Sequence, residues 1–357
     1  MAKQSLACFL AAGTVPRTGS LALAAMMPLL KKTPNKPIPT PAQKCVGVAF
    51  LSAPINIYRD ERVCTFTLFN ELFKLAQILG GIIKMYEDVL TVYESNDDTP
   101  LVIDSPHSGR NFPADFSTKM DDLTLRRWED CYVDELVGEA PSFGADLISM
   151  LIPRTYIDMN RHVLDVDPAL VKGEMSMQIH PEKQTVELGR GLIKRIGPNG
   201  EEIHNKNLDE DDILQMIESY YIPYHLTLEE HLFKKKKNGN VYHLNMHAMY
   251  SKNAETGEPR ADFVISDNKQ KTCDPEFTAF VKKELENLGY TVAVNDPFLG
   301  GEIVRMYGNP KRGVHSLQIE IKKALYMSED TFEKHDGFNK LQKDLNTFIG
   351  NVAKHVR

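Results

Sequence analysis

A short apolar run that stops abruptly in polar residues constrains the fold of this chain most strongly. Residues 101–103 are Leu-Val-Ile, enough for a buried strand, and Pro106 and Gly109 then stop the strand and turn the chain. His107 lies between them, so its imidazole is expected at the carboxyl end of a strand. In open α/β sheets, ligands bind at that edge.

Strand-like and helix-like patterns alternate over the rest of residues 85–357, with a long insertion at 165–208 that is rich in Gly, Pro, His and charge. Further strands are predicted at 86–93, 145–153, 241–246, 261–266, 290–294 and 316–321, and helices at 121–137, 209–237, 275–288 and 329–356. Such alternation predicts a single α/β domain with a largely parallel or mixed sheet covered on both faces. Long ordered loops in enzymes often cover sites, so the insertion is a candidate cover.

The first 84 residues differ in kind from the rest of the chain. They carry ten Lys and Arg against three Asp and Glu, a net charge of +7, whereas residues 85–357 carry 32 against 46, a net charge of −14. Residues 31–41 have the composition of a proline-rich linker, and residues 63–83 have the pattern of an apolar helix. We expect residues 1–84 to be a poorly structured extension, or an artefact of an over-long gene prediction with Met85 as the natural start.

Composition argues against several functional classes. The net charge of −7 disfavours nucleic-acid binding, and no apolar stretch near the N-terminus is long enough for a membrane span. The five cysteines are odd in number and form no C-x-x-C pair, which favours a reducing compartment such as the cytoplasm. Nothing in the sequence indicates the oligomeric state.

Two histidines follow apolar strands in the same way, and this suggests a shared metal. His107 and His247 are both candidates, because neutral imidazole is the commonest metal ligand near neutral pH. His243, four residues earlier on the same strand, is a rival ligand, but it lies deeper in the strand and is expected to be packed. A catalytic zinc ion takes three protein ligands and keeps one position open.

The third ligand is open on the residues alone. Asp134 lies on the predicted helix after the first motif, and Glu129 and Asp130 lie one turn earlier. An acidic residue on a helix is usually solvated, so this pattern does not choose among them.

Anion-binding residues cluster after the strand at 145–153. Arg154, Asn160 and Arg161 lie at its polar end, and guanidinium groups match carboxylates bidentately. Asp158 could tie the loop through an ion pair, and could also orient Arg161.

Two further stretches carry candidate groups. Gly300 and Gly301 permit close backbone approach, and Arg305 then offers another anion contact, although an ordinary turn would look the same. Glu320 lies in an apolar strand, where desolvation would raise its pKa and suit it to general-base catalysis. The alternative is a buried ion pair with an arginine, in which case Asp104 is the next candidate base.

Taken together, these stretches resemble the N-formylglutamate amidohydrolase family. The matching pieces run in the family's order at residues 105–110, 130–136, 156–161, 246–247, 295–308 and 318–327. The resemblance implies a zinc carboxypeptidase-like, phosphorylase/hydrolase-like fold: a central mixed sheet flanked by helices with one zinc ion. That superfamily often uses His-x-x-Glu, but Arg110 stands where the glutamate would be. Asp134 is therefore the acidic ligand that the resemblance favours.

The implied activity is hydrolysis of N-formyl-L-glutamate to formate and L-glutamate by a zinc-dependent (Zn2+) enzyme that binds a small anionic substrate. The implied metal ligands are His107, Asp134 and His247; the catalytic residues are Glu320 as base and Arg154 at the oxyanion; and the substrate contacts are Asn160, Arg161, Arg305, Gly300 and Gly301. Alternatives are a related N-acyl amino acid hydrolase, a carboxypeptidase-like enzyme, or a non-catalytic anion-binding protein.

Overall fold

The computed structural model describes residues 88–197 and 199–357, which belong to one compact unit, Tyr86–Arg357. The expected extension at 1–84 and the expected helix at 63–83 lie outside these ranges. Within them, no helix combines the length and apolar character needed to cross a bilayer.

One mixed sheet organises the described residues. Its strands are β1 Leu90–Tyr93, β2 Leu101–Ser105, β3 Asp146–Met150, β4 Val241–Met249, β5 Phe263–Ser266, β6 Val292–Val294 and β7 Val314–Lys322. They are ordered β1-β3-β2-β4-β7-β5-β6. The four central strands β3, β2, β4 and β7 are mutually parallel, whereas β1 and the β5–β6 pair run the opposite way. The carboxyl ends of the central strands therefore meet at one edge.

Helices cover both faces of the sheet, as the sequence predicted. They are α1 Asp122–Arg126, α2 Val133–Leu136, α3 Lys183–Leu188, α4 Glu210–Met216, α5 Ile222–Lys234, α6 Pro275–Asn287, α7 Glu302–Tyr307 and α8 Gly337–Val356. Short 3-10 turns lie at Ala140–Phe143, Pro168–Leu170, Pro310–Arg312 and Lys323–Leu325. The expected α/β fold, a central mixed sheet flanked by helices, is confirmed.

Strand alternation divides the apolar core in two. Leu101 and Ile103 pack in one cluster with α2, α6 and α8, whereas Val102 packs in the other with α4, α5 and α7. Successive side chains of a strand point to opposite faces, so one short strand serves both clusters. Burying a large apolar side chain stabilises the fold by about 1.5–3 kcal/mol. Both clusters therefore hold the central strands in place, and with them the polar residues at the strand ends.

Two predicted helices are wrong in their bounds. The segment predicted at 121–137 is two short helices, because Tyr132 adopts a left-handed conformation (φ 64°) that no α-helix can contain. The closing helix begins at Gly337 rather than residue 329, and Phe332 in the missing part also has a positive φ of 57°. The long helix predicted at 209–237 is present, with a π-helical turn at Ile217–Tyr221 just before Pro223, which lacks an amide hydrogen.

Candidate active site

The carboxyl edge of the central strands carries the candidate residues. His107 follows β2, Arg154 follows β3, and His247 and Glu320 lie opposite each other near the ends of β4 and β7. Asp130 joins them from the turn between α1 and α2, because its N–H donates to the His107 carbonyl at 3.0 Å. This backbone bond fastens the turn to the loop after β2.

Three buried ligand atoms form a compact triangle at this edge. His107 Nδ1 lies 3.1 Å from His247 Nδ1 and 3.2 Å from Asp130 Oδ2, and His247 Nδ1 lies 2.9 Å from Asp130 Oδ2. Ligands of a tetrahedral zinc ion with bonds of roughly 2.0–2.1 Å lie about 3.3 Å apart. Within the described ranges, this is the group of three His, Cys, Asp or Glu side chains that could hold a metal ion.

The second nitrogen of His107 is held by a carboxylate behind it. His107 Nε2 donates to Asp158 Oδ1 at 2.7 Å, which leaves Nδ1 with its lone pair towards the triangle. Carboxylates that hold the far nitrogen of a ligating histidine in this way are typical of metal sites.

His247 is held in the same way through an asparagine. The Asn245 amide nitrogen donates to both Asp104 oxygens at 2.9 and 3.0 Å. Its Oδ1 therefore faces His247 Nε2 at 2.8 Å and accepts a hydrogen bond from it. Asn160 Nδ2, close to the same nitrogen, donates to Gln318 Oε1 at 3.3 Å. Both imidazoles therefore present a lone pair beside a carboxylate, and this donor set fits a divalent cation.

The electrostatics of the edge match that donor set at His107 and Asp130. Burial, followed by the Arg154 charge, lowers the pKa of His107 and keeps it neutral. Burial raises the pKa of Asp130, but its contacts with the His107 and His247 imidazoles and the Arg154 charge outweigh burial and hold that pKa well below its usual range. Burial lowers the pKa of His247, but contact with Asp130 and the Glu320 charge outweigh it and raise that pKa. Burial raises the pKa of Glu320, and the nearby Asp130 charge adds to the effect, so its carboxylate is a stronger base than an exposed glutamate.

Asp158 forms the expected ion pair with an arginine, but that arginine is Arg154 and not Arg161. Asp158 accepts from Arg154 at 2.9 Å and from the buried Lys194 Nζ at 2.6 Å, so it orients Arg154 rather than Arg161. Arg154 also approaches Asp130 Oδ1 at 3.7 Å, and its side chain is 20% exposed. The guanidinium thus lies between the site and solvent.

Asp134, the expected third ligand, lies outside the triangle, and Asp130 stands in its place. Asp134 is half-buried, and its backbone N–H donates to Ser108 Oγ at 3.2 Å. The break at Tyr132 separates the two acids, so helical spacing cannot carry Asp134 to the edge. His243, the rival ligand, is packed as expected: it bonds Asp104 at 2.8 Å and Ser316 at 2.8 Å.

Asn160, Gly300 and Gly301 are brought together beside the triangle. Asn160 Oδ1 accepts from Ile303 N at 2.8 Å, and the Gly301 amide donates to Gln318 Oε1 at 2.7 Å. A Cβ on Gly301 would overlap the Asn160 side-chain amide, and Gly300 has a φ of +105° that favours glycine. Their polar groups hold the start of α7 against the site.

Arg161 and Arg305 are not part of the triangle, and both approach the same acid, Glu182. The Glu182 carboxylate is 3.9 Å from Arg161 and 3.8 Å from Arg305, and Arg305 is also 3.2 Å from Glu302. Arg305 therefore has two carboxylates near it, whereas Arg161 has one long contact.

Sequence reasoning missed the residues that support the site. Asn245 could have been found from strand alternation, since residues 243, 245 and 247 of β4 share a face with residues 316, 318 and 320 of β7. Lys194, in the insertion, carried no comparable signal.

Comparisons with known proteins point to one family. A family model for N-formylglutamate amidohydrolase matches residues 99–327. The N-formylglutamate deformylases of Pseudomonas aeruginosa and Pseudomonas putida are each 27% identical over 235 residues, covering 64% of this chain and 83% and 82% of theirs.

Solved structures show the same relationship. The N-formylglutamate amidohydrolase of Ralstonia eutropha JMP134 is 38% identical with a TM-score of 0.72, covering 76% of this chain and 99% of that one. The gene product Atu2144 of Agrobacterium tumefaciens shares the fold, at 17% identity and a TM-score of 0.56, over 75% of this chain and 96% of that one. The chain therefore belongs to the N-formylglutamate amidohydrolase family, a family of amide hydrolases.

Proposed function

We propose that this protein is a zinc-dependent amidohydrolase that converts N-formyl-L-glutamate to formate and L-glutamate. The observation that carries the proposal is the buried triangle of His107, Asp130 and His247 next to the raised-pKa carboxyl of Glu320. His107, Asp130 and His247 would hold the metal, with Asp130 replacing Asp134. A bound zinc ion supplies Lewis-acid activation of water and of the amide carbonyl.

Glu320 moves the protons in this proposal. It takes a proton from the attacking water and returns it to the departing nitrogen, so that formate and the free amine leave. Gln318 Nε2 donates to Glu320 Oε1 at 2.8 Å, which fixes the carboxylate and leaves its other oxygen for the water.

Arg154 stabilises the oxygen that gains negative charge. Asp158 fixes its Nε and one terminal nitrogen, at 3.3 and 2.9 Å, so the remaining terminal nitrogen is held in place before the reaction. Hydrogen-bond donors fixed in advance are the usual means of stabilising such an oxyanion.

Arg161 binds the α-carboxylate of the substrate, with Asn160 holding the adjoining loop and Arg305 a second candidate contact. The long 3.9 Å separation from Glu182 leaves the Arg161 guanidinium available for a closer, bidentate partner. An acidic chain that binds an anion needs local arginines of this kind.

The test is formate release by the full chain after metal removal and after zinc is restored. We expect activity with N-formylglutamate only in the restored protein. Faster turnover of N-acetylglutamate would favour the related N-acyl amino acid hydrolase, and hydrolysis of a peptide with a free C-terminus would favour a carboxypeptidase-like enzyme. Binding of glutamate analogues without any hydrolysis would leave only the non-catalytic anion-binding protein.

A further inference from the structure

Three arginine side chains influence one another at the outer side of the site, and one of them, Arg190, lacks an ion-pair partner among the described residues. Burial lowers the pKa of Arg190, the charges of Arg161 and Arg154 lower it further, and the Glu255 charge opposes this shift more weakly. In the described part of the chain, no carboxylate lies within ion-pair distance of the Arg190 guanidinium, and its side chain forms no hydrogen bond. A cation that lies near other cations and has no ion-pair partner attracts an anion.

The insertion holds Arg190 at this position through direct bonds to the active-site loop. The Asp158 N–H donates to the Leu192 carbonyl at 2.7 Å, and Lys194 Nζ donates to the Asp158 carboxylate at 2.6 Å. Arg190 and Lys194 pair across a backbone bridge, so Arg190 lies next to this attachment.

An aromatic ring supports both cations of this hairpin. The Arg190 guanidinium lies 5.4 Å and the Lys194 ammonium 5.2 Å from the centre of the Trp128 ring. Cations within about 6 Å of an aromatic ring are attracted to its face. This contact limits the positions that the Arg190 guanidinium can take.

Nearby carboxylates distinguish Lys194 and Arg305 from Arg190. Asp158 neutralises Lys194, and Glu302 and Glu182 lie near Arg305. Arg190 is therefore the cation of this group that has no carboxylate at ion-pair distance within residues 88–197 and 199–357.

We propose that Arg190 binds the side-chain carboxylate of the substrate and thereby selects dicarboxylic over neutral N-acyl amino acids. This inference rests on the proposed hydrolysis of an N-acyl amino acid. Arg161 takes the α-carboxylate. Arg190, rather than Arg305, takes the second carboxylate, because two acids already lie near Arg305.

The experiment compares Arg190→Gln with the parent enzyme on N-formylglutamate and on its neutral isostere N-formylglutamine. Removing a charged hydrogen bond costs about 10- to 100-fold in affinity. We expect KM for N-formylglutamate to rise by that factor, kcat to stay within about twofold, and KM for N-formylglutamine to stay unchanged. Arg190→Lys should recover part of the loss, since it restores the charge without the bidentate geometry.

Lys183→Gln is the matched control, because it removes one positive charge from the same insertion at a side chain that is 85% exposed. It should alter neither substrate's kinetics. Equal losses on both substrates, or no loss on N-formylglutamate, would overturn the assignment of Arg190.

Failure of the proposed function is a separate outcome. If the zinc-loaded parent hydrolyses neither substrate, calorimetric titration with glutarate still tests Arg190. Weaker binding of this dicarboxylate to Arg190→Gln than to the parent supports the site, and equal binding refutes it.

Discussion

Asp158→Asn should destabilise the protein strongly, although the substitution changes few atoms. Asp158 is fully buried and accepts from His107, from Arg154 and from Lys194, which is 1% exposed. The amide keeps the shape but leaves the Lys194 charge without its partner. Breaking a buried ion pair on one side costs about 3–5 kcal/mol, and we expect that loss in the free energy of unfolding.

The measurement is denaturant unfolding at pH 6 with a chelator present, so that metal binding does not contribute. Arg154 and Lys194 hold the pKa of Asp158 well below its usual 3.8, and burial lowers the pKa of Lys194 to about 7, so both groups are ionised at pH 6. The Asp158 contribution is fully present above pH 3.8 and is lost as the pH falls through the lowered value. The loss caused by the mutation should also shrink as the pH rises past about 7, because Lys194 gives up its proton.

Glu286→Gln is the control, since it makes the same chemical change in an exposed pair with Lys282, where side chains are 43% and 38% exposed. That pair should contribute no more than about 0.5 kcal/mol. A loss below about 1 kcal/mol for Asp158→Asn would show that the buried charges are not interdependent as described.

Three further predictions concern Glu320, Asn245 and residues 1–84. Burial raises the pKa of Glu320 above 4.5, so kcat/KM should fall as the pH drops through the raised value. Glu320→Gln should lower kcat by about 10²- to 10⁴-fold, and the fall of kcat/KM at acidic pH should disappear from its pH–rate profile. Asn245→Ala removes the acceptor of the His247 Nε2 proton and should weaken zinc affinity by about 10- to 100-fold in competition with a chelator, whereas unchanged affinity would mean that Asn245 does not orient His247. A chain beginning at Met85 should keep full formate release, and an insoluble or inactive product would place residues 1–84 in the functional unit.

The sequence predicts the strand ends well, because strand alternation and abrupt polar stops are local signals. His107 and His247 are expected at strand ends on that basis, and Glu320 is expected within an apolar strand. The parallel strands β2, β4 and β7 bring the three residues to one edge of the sheet. His243 is expected to be packed, and its bonds to Asp104 and Ser316 show why.

The remaining features depend on contacts between distant segments. Helical spacing favours no single acid near Asp134, and the left-handed Tyr132 that directs Asp130 to the site has no clear sequence signal. The position of Arg190 depends on how the insertion is attached to the active-site loop. The attachment is the hydrogen bond from the Asp158 N–H to the Leu192 carbonyl, which joins residues 34 positions apart in the sequence. Charge alone therefore points to Arg305 rather than to Arg190.

The metal site is tested most directly by a paired measurement of zinc content and formate release in Asp130→Asn and Asp134→Asn. Both variants change a carboxylate to an amide in the same turn-and-helix segment, so they are matched in chemistry. We expect the parent and Asp134→Asn to hold one zinc ion per chain and to release formate from N-formylglutamate, and Asp130→Asn to lose both. Zinc retained at full occupancy in Asp130→Asn but lost in Asp134→Asn would contradict the assignment of the metal site.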